Sequence, residues 1–138
     1  MRCLRITLLL VGPVVLGCGD PFSIEDALGT WDVRDINGSA VSGTAPAGVW
    51  IRENGGTDSS VVVVKSVTLA FAADSTCQWT FEDGIQAPVT EDDCAYSVWS
   101  DGGITVDLAD EPLEGTGEGV TMTLRDTATN EWVFEKRL

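Results

Sequence analysis

The chain has no histidine. That absence removes Ser-His-Asp and Cys-His nucleophilic catalysis, histidine-ligated zinc and imidazole acid-base chemistry together. Cations are scarce: 8 Lys and Arg stand against 22 Asp and Glu, for a formal net charge of −14 over 138 residues. A surface this acidic is repelled by phosphate backbones and anionic headgroups, which disfavours nucleic-acid binding and electrostatic attachment to membranes. Cys-x-x-Cys does not occur and no basic neighbourhood lowers a thiol pKa, so a redox role is not expected. No apolar run approaches the about 20 residues that a membrane-spanning helix needs. The chemistry left belongs to carboxylates, Lys65, Tyr96 and hydroxyls, and no enzyme activity is expected from it.

What is present begins with a basic segment, Met1-Arg2-Cys3-Leu4-Arg5, followed by the apolar run "ITLLLVGPVVLG" interrupted by Gly12 and Pro13. This is the layout of a secretory signal, with residues 1–17 removed after the small residue Gly17. Removal takes Arg2 and Arg5 and no acid, so the formal net charge moves to −16. Cys3 leaves with the signal, and Cys18, Cys77 and Cys94 remain. An odd thiol in an oxidising compartment needs a reason.

Val15-Leu16-Gly17-Cys18 resembles the lipobox of bacterial lipoproteins, in which the cysteine receives a diacylglyceryl group before cleavage; Leu16 is bulkier than the usual residue at its position. The resemblance implies that Cys18 is lipidated, that residues 18–27 form a lipidated N-terminus and tether, and that the mature protein is extracytoplasmic. It would be held at the bacterial cell envelope, on an outer-membrane or periplasmic face, with the membrane as its partner through the anchor. The other reading is an ordinary secreted protein whose Cys18 is free.

From Leu28 the chain is punctuated like an all-β protein, with short alternating runs between Gly, Asn, Asp and Pro clusters. Eight strands are expected at 29–36, 48–53, 60–72, 76–82, 94–100, 104–109, 120–126 and 131–137. Cys77, Trp79 and Phe81 share one face of their strand; Cys94, Tyr96 and Val98, then Val120, Met122 and Leu124, then Trp132 and Phe134 do the same on theirs. One apolar side and one mixed side fit a sheet around a single interior. Eight short antiparallel strands joined by tight turns can close into a small up-and-down barrel and abolish their edges; a two-sheet β-sandwich is the alternative.

"LGTWDVRDINGSAV" (28–41) resembles the opening of lipocalin-like domains on small bacterial lipoproteins, where Gly-x-Trp starts the first strand and Asn-Gly ends it. "WVFEKRL" resembles their last strand, and "SVTLAFAADSTCQWTF" their central hairpin, although Ser75 stands where a turn glycine is usual. No Thr-Asp-Tyr follows the middle strands, so the full lipocalin motif set is absent. The likeness implies a lipocalin-like barrel over residues 28–138.

In a closed barrel the first and last strands are neighbours, so Lys136 or Arg137 can lie over the Trp31 indole and close one end. Otherwise Trp31 is a core aromatic and the cations are solvated. Cys77 and Cys94, on consecutive strands, are expected to form a disulfide. Five tryptophans, Trp31, Trp50, Trp79, Trp99 and Trp132, are many for this length. With Phe81, Tyr96, Met122 and Phe134, three of them (Trp31, Trp79 and Trp132) either line a cavity for a small hydrophobic ligand or simply fill the barrel. The acids at 91–93 and 107–118 match neither an EF-hand nor a Gly-Asp repeat, and no metal or cofactor is expected. Two functions remain: a lipid-anchored barrel that binds a small apolar molecule or acts as an envelope accessory protein, or a protein-binding barrel such as a protease inhibitor. An internal apolar cavity would favour the first, and a filled barrel with exposed apolar residues, around Trp50 and Trp99, the second.

Overall fold

A computed structural model describes residues 20–41, 48–54, 58–109 and 111–138, with the backbone alone over 48–54 and 58–62. The proposed signal, Cys18 and the Trp50 side chain lie outside the described residues. In chain order the elements are α1 (Ile24–Ala27), β1 (Gly29–Ile36), β2 (Ser39–Ala40), β3 (Gly48–Asn54), β4 (Asp58–Val64), β5 (Ser66–Phe71), β6 (Thr76–Glu82), β7 (Val89–Val98), β8 (Gly103–Leu108), β9 (Pro112–Glu118), β10 (Thr121–Arg125) and β11 (Glu131–Lys136).

Strands β5 to β11 pair in sequence as antiparallel neighbours, and β1 lies between β5 and β11. The sheet therefore closes on itself as an eight-stranded up-and-down barrel of the lipocalin-like kind, which rules out the sandwich. β2 adds a short ninth strand at the end of β1, while β3 and β4 pair only with each other.

The expected strand count was eight, but the membership differs in two places. The run 60–72 is two strands, β4 and β5, broken at Lys65, whose N–H bonds the Glu82 carbonyl at 2.8 Å and whose Nζ meets the Glu82 carboxylate at 2.9 Å. The strand at 48–53 belongs to the separate β3–β4 hairpin. Its place in the wall is taken by β9, in a segment read from sequence as a run of loop acids. β7 also starts earlier than expected, at Val89, so Glu91, Asp92 and Asp93 lie in a strand.

Side-chain alternation converts directly into burial. Val67, Leu69 and Phe71 of β5, Ile104 and Val106 of β8, and Met122 and Leu124 of β10 all point inward. In β1 the inward set begins with Trp31 and Val33 and resumes at Ile36, because a β-bulge at Arg34 shifts the pairing with β11 by one residue.

Cys77 and Cys94 are directly opposed, with Cα atoms 4.9 Å apart, and are bonded. Both are buried on the inner face. Reducing this bridge is expected to lower stability by about 3 kcal/mol through the freedom it restores to the unfolded chain. Urea denaturation with and without dithiothreitol reads the effect; coincident midpoints would show that the β6–β7 hairpin holds without it.

Candidate functional site

Up-and-down topology sends every second connection to the same end. The near end carries residues 20–28, the turns at 72–75, 99–102 and 119–120, and residues 137–138; the far end carries residues 37–41 and 63–65 and the turns at 83–88 and 126–130.

The near end is closed by its own chain. Ser23 caps α1 through a capping box: its Oγ accepts from Asp26 N–H, while the Asp26 carboxylate accepts from Ser23 N–H at 2.9 Å. The Ser23 N–H, and the Ser23 hydroxyl donating to the same oxygen at 2.9 Å, hold the Asp26 carboxyl below its ordinary pKa. Phe22 is buried, edge-on to Trp31 at 6.0 Å between ring centroids. Trp31 is completely buried and donates its Nε1–H to the Ala27 carbonyl at 2.7 Å. The chain leaves α1 through Gly29 at φ +113°, a conformation that disfavours any side chain, and the stem of Lys136 passes 3.4 Å from where a Cβ would stand. This is the physical content of Gly-x-Trp here: the glycine turns the chain and the tryptophan plugs the barrel.

The two basic residues divide the work between them. Lys136 is the register partner of Trp31; its Nζ lies 5.7 Å from the indole centroid and donates to the Asp26 carbonyl at 2.8 Å. Arg137 instead makes a two-pronged pair with Asp32, at 2.6 and 2.9 Å. Residues 22–27 are therefore part of the barrel's closure and not of the tether expected over 18–27.

The interior aromatics pack on one another. Trp79 stands edge-on to Trp132 at 5.5 Å and to Phe134 at 6.3 Å, and Phe71 tilts against Tyr96 at 4.6 Å. Met122, Trp132 and Phe134 are essentially inaccessible; Phe81, nearer the far end, is half-buried. The Tyr96 hydroxyl donates to the Ala72 carbonyl at 2.6 Å, and burial pushes its pKa up. Among the described residues, every aromatic proposed as a ligand contact lies in this one cluster. A depression of about 440 Å³ opens beside Ala70, Thr76, Gln78 and Asp92 on the outer wall.

Carboxylates do not converge either: among the described residues no three Asp, Glu or Cys side chains come together as metal ligands would. Instead Asp83 accepts from the N–H groups of Ile85 and Gln86, which lowers its pKa, and Asp92 accepts from Gln78 at 2.6 Å.

Sequence reasoning missed the polar cluster of the far end. Asp126 accepts from Asn130 N–H (2.9 Å), Asn130 Nδ2 (2.9 Å) and Trp132 Nε1 (3.1 Å), while Asn37 Nδ2 donates to Asn130 Oδ1 (2.9 Å). Asp-Thr-Ala-Thr-Asn beside the Asn37-Gly38 turn was the available signal.

Gly117 reports on the near-end closure. A Cβ there would stand 2.6 Å from the Phe22 ring, so Gly117→Ala is expected to displace Phe22 and free residues 20–28 at a cost of about 2 kcal/mol while the barrel persists. Hydrogen exchange should speed up at Ala27 and Leu28 and stay slow in β5 and β6; uniform protection would overturn this.

Comparison with protein-family models and with curated proteins found no match for the chain.

Proposed function

We propose that the protein is a lipid-anchored, extracytoplasmic lipocalin-like barrel that works through its surface, as a protein-binding or envelope accessory module, and does not carry a ligand inside. The observation that carries this reading is the packed interior: Trp31, Trp79, Trp132, Phe134 and Met122 occupy the space a hydrophobic cargo would need. The far end offers exposed apolar side chains, Val63, Ile85 and Val89, on neighbouring strands and loops.

The anchor is supported by cysteine use. Cys77 and Cys94 are joined, which leaves Cys18 as the remaining thiol of the processed chain, within a sequence resembling a lipobox. A stable disulfide fits an oxidising compartment.

Mass spectrometry of protein extracted from its own membranes tests both parts. Under denaturing conditions the expected mass carries acyl chains on Cys18 and lacks two hydrogens for the disulfide; a plain Cys18 thiol removes the anchor. Under native conditions no small-molecule mass is expected, and a reproducible addition of a few hundred daltons would restore the ligand carrier.

A further inference from the structure

We infer that the near end of the barrel seats directly on a zwitterionic lipid bilayer, with Trp99, Ile24, Val120 and Leu138 entering its interface. This rests on the lipid-anchor reading and specifies how the anchored domain stands. These four side chains are exposed to between 40% and 101%, and each comes from a different segment: α1, the turn after β7, the turn before β10 and the C-terminus. Chain proximity does not gather them; the barrel topology brings all four segments to one end.

Two further observations name the occupant. The chain reaches the barrel at this same end, and only three residues separate Cys18 from the buried Phe22. At about 3.5 Å per residue, acyl chains on Cys18 hold the near end within roughly 14 Å of the headgroups. Trp99 is also suited to that depth: its Nε1–H is donated to Thr105 Oγ1 at 3.1 Å, so the indole presents an apolar face with its polar edge already bonded. The mouth beneath is closed by Phe22 and Trp31, so this rim does not guard an open ligand channel.

Charge selects the kind of membrane. Glu25, Asp26, Asp74, Asp101 and Glu118 surround this end against Lys136 and Arg137. Lys136 is engaged with Trp31 and the Asp26 carbonyl, and Arg137 with Asp32. Neutral headgroups accept such a rim; anionic ones repel it.

The test uses the full-length lipoprotein reconstituted in phosphatidylcholine vesicles whose acyl chains carry bromine, a contact quencher of indole. Emission is expected to fall relative to unbrominated vesicles, with Trp99→Phe abolishing at least half of that fall and Ile24→Ser/Val120→Ser reducing it. Replacing a third of the lipid with phosphatidylglycerol should weaken it. Equal quenching with and without Trp99, or none in protein whose mass shows acylation, overturns the seating while leaving the anchor standing. Trp99-dependent quenching of protein found unacylated supports the seating and removes the anchor.

Discussion

Gly115→Ala is expected to destabilise the barrel by at least about 4 kcal/mol, more than the same change at Gly103 or Gly117. Gly115 lies on the inner face of β9, opposite Leu124 of β10. A Cβ there would overlap the Thr123 carbonyl oxygen outright and stand 2.8 Å from its carbon and 2.9 Å from the Leu124 Cα. All three atoms are backbone, so no rotamer change relieves the contact. Relief requires β9 and β10 to separate, which breaks their hydrogen bonds and opens the barrel. Gly103→Ala provides the comparison: its Cβ would meet the side chains of Asp101 and Trp99 at 3.1 and 3.3 Å, and both can turn away. Urea midpoints should therefore fall steeply for Gly115→Ala and by under about 1 kcal/mol equivalent for Gly103→Ala. Similar midpoints for the two would show that β9 tolerates a side chain where the backbones meet.

The same glycines explain why β9 was hidden in the sequence. Its inward set is Leu113, Gly115 and Gly117, between outward Glu114, Thr116 and Glu118. Period-2 alternation exists, but two of its three inward members carry no side chain, one because β10 approaches too closely and one because Phe22 covers it. Only the acids remained visible, and acids in a row read as a loop. The opposite failure occurred at 60–72, where a Val-rich run disguises a change of partner at Lys65 that depends on Glu82, 17 residues away. Where inward residues were large, as in β6, β7, β10 and β11, alternation was enough to assign their faces. Pairing of the first and last strands followed from closure, which brought Lys136 or Arg137 within reach of Trp31; that it is Lys136, with Arg137 on Asp32, came only from the structure. The near-end closure was less readable. "DPFSIED" looks polar and tether-like, and Phe22 is buried against Trp31, Gly102 and Gly117, which come together only in the finished barrel.

Asp126→Ala is expected to cost about 4 kcal/mol, although it removes only a small polar side chain at the end of a strand. The Asp126 carboxylate is 7% exposed and accepts from two N–H groups of Asn130 and from the indole of Trp132. Bonds to a charged acceptor contribute about 1.5–3 kcal/mol each, and withdrawing that acceptor from donors shielded from water adds their desolvation cost. The damage also spreads along the cluster. Asn130 is 2% exposed and orients Asn37, whose side chain and backbone bond Glu131 across the β1–β11 seam that closes the barrel. Asp126→Asn separates acceptor geometry from volume: it keeps the shape and one oxygen, replaces the other with donors, and should recover about half of the loss. Denaturation midpoints give the magnitudes, and Trp132 provides the local signal, since water admitted beside its indole shifts emission to the red. An Asp126→Ala protein with an unshifted midpoint and unshifted emission would mean that the turn at 126–130 holds its shape by backbone bonds alone, and the far end would then be an independent scaffold onto which surface residues such as Ile85 and Val89 could be exchanged without consequence for closure.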